Sequence, residues 1–113
     1  MSEPKVRFSY VGNVYVREMH FLKKGDVAHG HSHDYDHLSL LSKGSLKLTI
    51  NGQTTEYKSP EMIYIKKNLE HELEALEDDS VTYCIHAQRD ETGDILSMDQ
   101  IPKGVDHPMK WIT

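Results

Sequence analysis

Apolar and polar residues alternate over short runs through most of the chain, and no stretch sustains the 3.6-residue period of an amphipathic helix. The run "SLKLTI" at 45–50 shows the pattern best. Leu46, Leu48 and Ile50 alternate with Lys47 and Thr49, so an extended backbone turns the first three toward a core and leaves the others facing water. Runs of this kind predict nine strands, near 7–10, 13–22, 27–33, 37–42, 45–50, 53–57, 62–65, 71–75 and 81–88. Between them stand "KKGD", "SKGS", "NG" and "KSP", which supply glycine where φ must be positive and proline where no ladder donor is needed. Asn51-Gly52 is the strongest hairpin signal among them. Many short strands at this spacing predict an all-β sandwich or barrel.

The last stretch is different. "RDETGD" reads as a polar loop, and "SMDQIPKGVDHPMKWIT" has two prolines and few strand or helix signals, so 89–113 is expected to be a wrapping tail. Trp111 offers an anchor on the barrel or on a second subunit, with a frayed end as the plainer alternative. No internal repeat or low-complexity segment interrupts the chain, and 113 residues suit a single domain, 1–113.

Charge narrows the function classes. A net charge of -5, with acidic residues scattered from Glu3 to Asp106, leaves no basic face, so no nucleic-acid partner is expected. No apolar run approaches the ~20 residues that span a bilayer, and "MSEPKVRFSY" lacks the apolar stretch of a secretory leader. The expectation is a cytoplasmic chain with no membrane partner. The single cysteine, Cys84, cannot form an internal disulfide, which fits a reducing compartment.

The candidate chemistry is histidine. His31 and His33 are two residues apart and share a side of any extended backbone, so both can reach one ion. His37 would lie roughly 13 Å from His33 on a straight strand, too far to share it. The chain must therefore bend, and "DYD" at 34–36 suits a turn. A fourth candidate, His71, opens another predicted strand after a polar loop. A single histidine in a polar loop is more often solvated than ligating, but three at this spacing favour a metal site.

These residues resemble the first motif of the cupin superfamily: Gly25, "DVAHG", His31, Ser32, His33, "DYD", His37, "LSLLSK", Gly44. Every spacing fits, and the one chemical departure is His37 where the family usually has glutamate. "YKSPEMIYIKKNLEHEL" is more loosely similar to the second motif, with Pro60 kept, Glu61-Met62 in place of Gly-Asp, and His71 in the ligand position. The resemblance covers about 17–88. It implies a double-stranded β-helix, the cupin jelly-roll barrel, preceded by N-terminal strands and holding an ion inside its mouth. It also implies a single-domain protein that commonly dimerises, often through N-terminal strands such as "VRFSY" and "NVYVREM". Four-histidine cupins are similar, so the His-for-Glu change is compatible with a site formed by His31, His33, His37 and His71.

Four neutral imidazoles suit one divalent transition-metal ion, Mn, Fe, Ni, Cu, Co or Zn, without selecting among them. They cancel none of its charge, which favours anionic or enolisable oxygen ligands. An octahedral ion would keep two adjacent positions for substrate, or for substrate and dioxygen, whereas tetrahedral zinc would be closed and structural. The expected function is thus a mononuclear, dioxygenase-like oxidoreductase on a small oxygen-rich or enolisable substrate. The alternatives are a non-catalytic cupin that binds a small metabolite or sugar, and a sugar-isomerase-type cupin, although no acid-base carboxylate for the latter stands out.

Regular alternation from His37 gives Ser39 and Leu41 one side of their strand and gives Cys84 and His86 one side of theirs, so all four are candidate pocket residues. Each has a plainer reading: Cys84 as a small core residue rather than a reactive thiol, His86 as a satisfied core or rim histidine. Tyr64 is expected in the core or the pocket wall. Glu70 and Glu72 read as exposed charges more readily than as partners that orient imidazoles. His29 reads as a non-ligand because Gly30 can break the strand, and His20 and His107 read as structural or surface residues.

Overall fold

The structure is a computed structural model that describes residues 2–30, 36–90, 92, 94–97 and 107–112, with the backbone alone for Val11, His37 and 107–112. The alternating runs form strands β1 (Lys5–Val11), β2 (Val14–Phe21), β3 (Val27–Ala28), β4 (His37–Lys43) and β5 (Ser45–Ile50). They continue with β6 (Gln53–Lys58), β7 (Glu61–Ile65), β8 (His71–Ala75), β9 (Ser80–Ala87) and β10 (His107–Ile112). Among the described residues there is no helix long and apolar enough to cross a membrane.

Two antiparallel sheets result, one of six strands in the order β10-β1-β2-β9-β4-β7 and one of four in the order β3-β8-β5-β6. Chain neighbours repeatedly fall in opposite sheets, as with β4 and β5, β6 and β7, and β8 and β9. This crossing pattern is that of the expected double-stranded β-helix. Burial alternates as a two-residue period requires. On β9, Ser80, Thr82, Cys84 and His86 are buried, and on β8 His71, Leu73 and Ala75 are. Phe21, Leu41, Leu46, Ile63 and Ile65 meet between the sheets in one apolar core. Each such side chain contributes about 1.5–3 kcal/mol by leaving water.

The strand ends follow the sequence expectation within two residues, with two differences. The run expected at 27–33 is a strand over Val27–Ala28, and 31–35 lie outside the described residues. The tail adds β10 to the edge of the six-stranded sheet, in register Val6↔Ile112 and Phe8↔Lys110. Edge pairing is made by the backbone and so needs little side-chain alternation. Pro108 lacks an N–H but is tolerated on an edge strand.

One end of the sandwich is closed by hydrogen bonds. The Ser45 amide donates to Ser80 Oγ (3.2 Å), whose hydroxyl donates to the Glu77 carbonyl (2.9 Å). Near β3, the buried Asp26 accepts from the Ser2 hydroxyl (2.8 Å) and the Lys23 amide (3.1 Å), while the Val27 amide donates to the Ser2 carbonyl (3.0 Å). These bonds set the course of the chain toward Gly30.

Candidate functional site

Opposite the closed end, the mouth is formed where β4 begins, β8 begins and the β5–β6 hairpin turns. The hairpin has the expected two-residue loop, with positive φ at Asn51 (51°) and Gly52 (77°) and with Ile50 paired to Gln53. Ile50 also pairs with His71 across β5 and β8, which brings the first residue of β8 to the mouth.

His71 is only 9% exposed. Its Nδ1 lies 3.2 Å from the Leu69 carbonyl oxygen. A carbonyl only accepts, so in the neutral imidazole the proton belongs on Nδ1 and the ring lone pair on Nε2. The backbone before His31 is held close to it. β3 pairs with β8 as Ala28↔Leu73, and two residues further along a Cβ on Gly30 would fall on the His71 carbonyl group. Glycine is required there because the two backbones touch.

Of the other proposed ligands, His31 and His33 lie outside the described residues, as do Asp34 and Tyr35 of the expected bend. His37 heads β4 and pairs with Ile65. Among the described residues no group of three or more His, Cys, Asp or Glu side chains is placed to hold a metal ion. His71 fits such a role by its burial, its nitrogen chemistry and its neighbour Gly30.

His29 takes the opposite face. Its Nδ1 is 3.2 Å from Glu72 Oε1, and both side chains are largely exposed. The pair places Glu72 among the exposed charges. His20 pairs in the same way with Asp79, at 3.2 Å.

The candidate pocket residues separate into three groups. Leu41 and Cys84 belong to the apolar core, with Ser39 buried beside them. Ser39 Oγ is 3.1 Å from Cys84 Sγ. Burial pushes the Cys84 thiol up, against a smaller opposing effect of the Ser39 hydrogen bond, so the sulfur stays a protonated core group. His86 is buried (8% exposed) and stacks on Tyr15, its partner across β2 and β9, with ring centroids 4.8 Å apart. The β4–β9 pairing runs from Lys43↔Val81 to Ser39↔Cys84. Tyr64 corrects the expectation. It is neither core nor pocket wall but 58% exposed on the outer face of β7, because Ile63 and Ile65 take the inward positions.

The sequence reading missed one wall of the mouth. A cavity of about 320 Å³ is lined by Leu48, Ile50, Asn51, Gln53 and Thr55. It is half open to solvent, with Asn51, Gln53 and Thr55 exposed. Leu48 pairs with Thr55 and Ile50 with Gln53, and hairpin partners share a face. The Asn51-Gly52 signal could therefore have placed Gln53 and Thr55 beside the inward-facing Leu48 and Ile50.

Residues 17–86 match the family described as the cupin domain. The chain belongs to the cupin family. No curated protein matches the sequence of this cupin. Solved structures share its fold. KdgF from Halomonas sp. is 18% identical with a TM-score of 0.63, the match covering 76% of this chain and 82% of that one. An RmlC-like cupin with a double-stranded β-helix fold from Methanocaldococcus jannaschii is 19% identical, TM-score 0.63, covering 77% and 83%. An uncharacterised conserved protein with a double-stranded β-helix domain from Klebsiella pneumoniae is 17% identical, TM-score 0.66, covering 75% and 76%.

Proposed function

We propose that this cupin is a mononuclear metalloenzyme, a dioxygenase-like oxidoreductase acting on a small oxygen-rich or enolisable substrate. His31, His33, His37 and His71 would hold one divalent transition-metal ion. The observation that carries this reading is His71, which is buried at the mouth with Nδ1 against the Leu69 carbonyl, beside Gly30 and one register step from the cavity wall at Ile50. When bound, the ion supplies Lewis-acid or redox chemistry to a chelating oxygen ligand, and four neutral imidazoles leave its charge uncancelled.

The described residues contribute a half-open binding surface. Leu48 and Ile50 make the apolar wall, while Gln53 and Thr55 offer an amide and a hydroxyl to uncharged polar groups of a substrate. No carboxylate lines this cavity among the described residues. The same neutral lining does support a second reading, a binding protein for a small metabolite or sugar.

The test begins with elemental analysis of purified protein and its His31→Ala, His33→Ala, His37→Ala and His71→Ala variants. Each substitution should lower metal content well below one ion per chain while the β-sheet circular dichroism persists. Stoichiometric metal in all four would remove the proposed site. Oxygen uptake by Mn²⁺- and Fe²⁺-loaded protein with diketones, catechols and flavonols then separates the readings. Turnover supports the oxidoreductase, and tight binding without turnover supports the binding protein.

A further inference from the structure

Two arginines meet at β2, and the chain neutralises only one of them. Arg7, on β1, pairs with the carboxylate of Glu18 on the outer face of β2. Arg17, the neighbour of Glu18, faces the opposite way. Residues of its parity lead into the core, where Met19 and Phe21 are 2% and 0% exposed. Across the sheet Arg17 pairs with Phe8 on β1 and with Cys84 on β9, and Cys84 pairs in turn with Ser39 on β4. Its charge is felt at the Cys84 sulfur, where burial pushes the thiol up and Arg17 works against that shift alongside the Ser39 hydrogen bond. Yet the thiol stays protonated and Glu18 is taken by Arg7, so neither supplies a counter-charge. Among the described residues the Arg17 side chain makes no hydrogen bond, ion pair or ring contact.

The surroundings of Arg17 are aromatic. β9 runs antiparallel to β4, which starts at the mouth, so His86 lies nearer the mouth than Cys84. Tyr10, Tyr15 and His86 form a cross-strand row there, with ring centroids 5.7 Å and 4.8 Å apart. Phe8 stands 6.3 Å from both tyrosines. Phe8, Tyr10, Tyr15 and Arg17 are each partly exposed, whereas Met19 and Phe21 beyond them are buried. The inward face is therefore open at this end and closes behind Arg17.

We propose that Arg17 binds the carboxylate of the substrate, and that the substrate is a flat aromatic or conjugated monocarboxylic acid lying along Phe8, Tyr15 and His86 with its other end toward the mouth. This deepens the metalloenzyme reading and rests on it only for the chemistry at that other end. A guanidinium fork matches a carboxylate through two parallel hydrogen bonds. One cation among neutral groups balances one negative charge, which selects a carboxylate over a phosphate monoester with its charge of about -1.5 to -2. The rings along the approach add offset or edge-to-face contacts that a flat ligand can make.

NMR titration of the metal-free protein tests the proposal, because an anion then has no bound ion to hold it instead. The probes are benzoate, its neutral isostere benzamide, and inorganic phosphate. Benzoate should bind with a dissociation constant of about 1 mM or tighter, ordinary for so small a ligand, and should shift the amide signals of Phe8, Tyr15, Arg17 and Cys84. Benzamide and phosphate should bind at least about tenfold more weakly. Arg17→Met keeps the length but not the charge, and it should weaken benzoate about 10–100-fold while leaving benzamide unchanged. Arg17→Lys keeps the charge but not the fork and should fall between. Both variants should keep the parent's circular dichroism and, after reloading, its metal content. Benzoate that leaves these signals in place overturns the proposal, as does benzamide or phosphate binding as tightly as benzoate, or a folded Arg17→Met that binds benzoate like the parent. Should Arg17→Met misfold, Arg17→Lys and the signal map of the parent decide in its place. The metal reading fails separately: a chain that takes up no ion yet binds benzoate through Arg17 loses the metalloenzyme and keeps this site, and one that takes up an ion but binds no benzoate does the reverse.

Discussion

Gly30 controls the candidate site without a side chain of its own. A Cβ there would overlap the His71 carbonyl, so Gly30→Ala must separate the chain leaving β3 from the start of β8. The expected result is a loss of about 1–3 kcal/mol in urea unfolding, as for other overpacked sites, together with reduced metal content. His29→Ala is the control. It removes an exposed side chain paired with Glu72 and should leave both quantities near the parent values, and equal effects from the two variants would contradict this account. Cys84 makes the second prediction at this scale. With its thiol fully buried and pushed up, it should react with Ellman's reagent only in denaturant. Labelling of the native chain at the rate of a free thiol would show that the β9 strand opens around it.

The β5–β6 hairpin connects turn chemistry to the pocket. Positive φ at both Asn51 and Gly52 gives the two-residue loop the twist its strands need and aligns Gln53 with Ile50 and Thr55 with Leu48. Gly52→Ala meets no steric neighbour but forces a side chain into a left-handed backbone, and it should cost about 1 kcal/mol of stability by thermal or urea unfolding. Thr55→Val leaves the strand intact and removes only a hydroxyl from the cavity wall. Affinity for a hydroxylated ligand, measured by calorimetry, should then fall about tenfold if Thr55 hydrogen-bonds it, with the melting temperature little changed. Much of this element was legible: "SLKLTI" and "NG" specify strand, turn and facing. What the two cannot show is that the inward face, past Leu48, stops being core and becomes the wall of a cavity. That depends on how far the opposite sheet extends.

Across the whole molecule, the buried Glu18 couples stability to acid. Burial alone would push its carboxyl up, but hydrogen bonds from Arg7 and Tyr83 outweigh that cost and hold it below its ordinary 4.5. A carboxyl lowered on folding stabilises the native state at pH values above 4.5, and this contribution is lost as the pH falls through the lower, native pKa. Asp26, lowered through its bonds to Ser2 and Lys23 despite burial, acts in the same direction. Urea unfolding as a function of pH should therefore show stability falling below about pH 4.5, and Glu18→Gln should flatten that decline while lowering the plateau near neutrality. An acid limb unchanged by Glu18→Gln would mean that the ion pair between β1 and β2 does not couple to folding.

By itself the chain determined the local grammar: where the strands lie, which residues alternate inward, the Asn51-Gly52 turn, and the His-x-His spacing that resembles the cupin motif. These are short-range consequences of a two-residue period and of backbone conformations available to few residue types. Tertiary structure alone decided the rest. It put His71 against Gly30 and Ile50, stacked His86 on Tyr15, turned Tyr64 outward, and drew the tail into β10 beside β1. Apart from Tyr64, each of these joins segments distant in sequence, brought together largely through backbone hydrogen bonds that any residue but proline can donate. Side-chain pattern cannot specify such partners until the sheets have assembled.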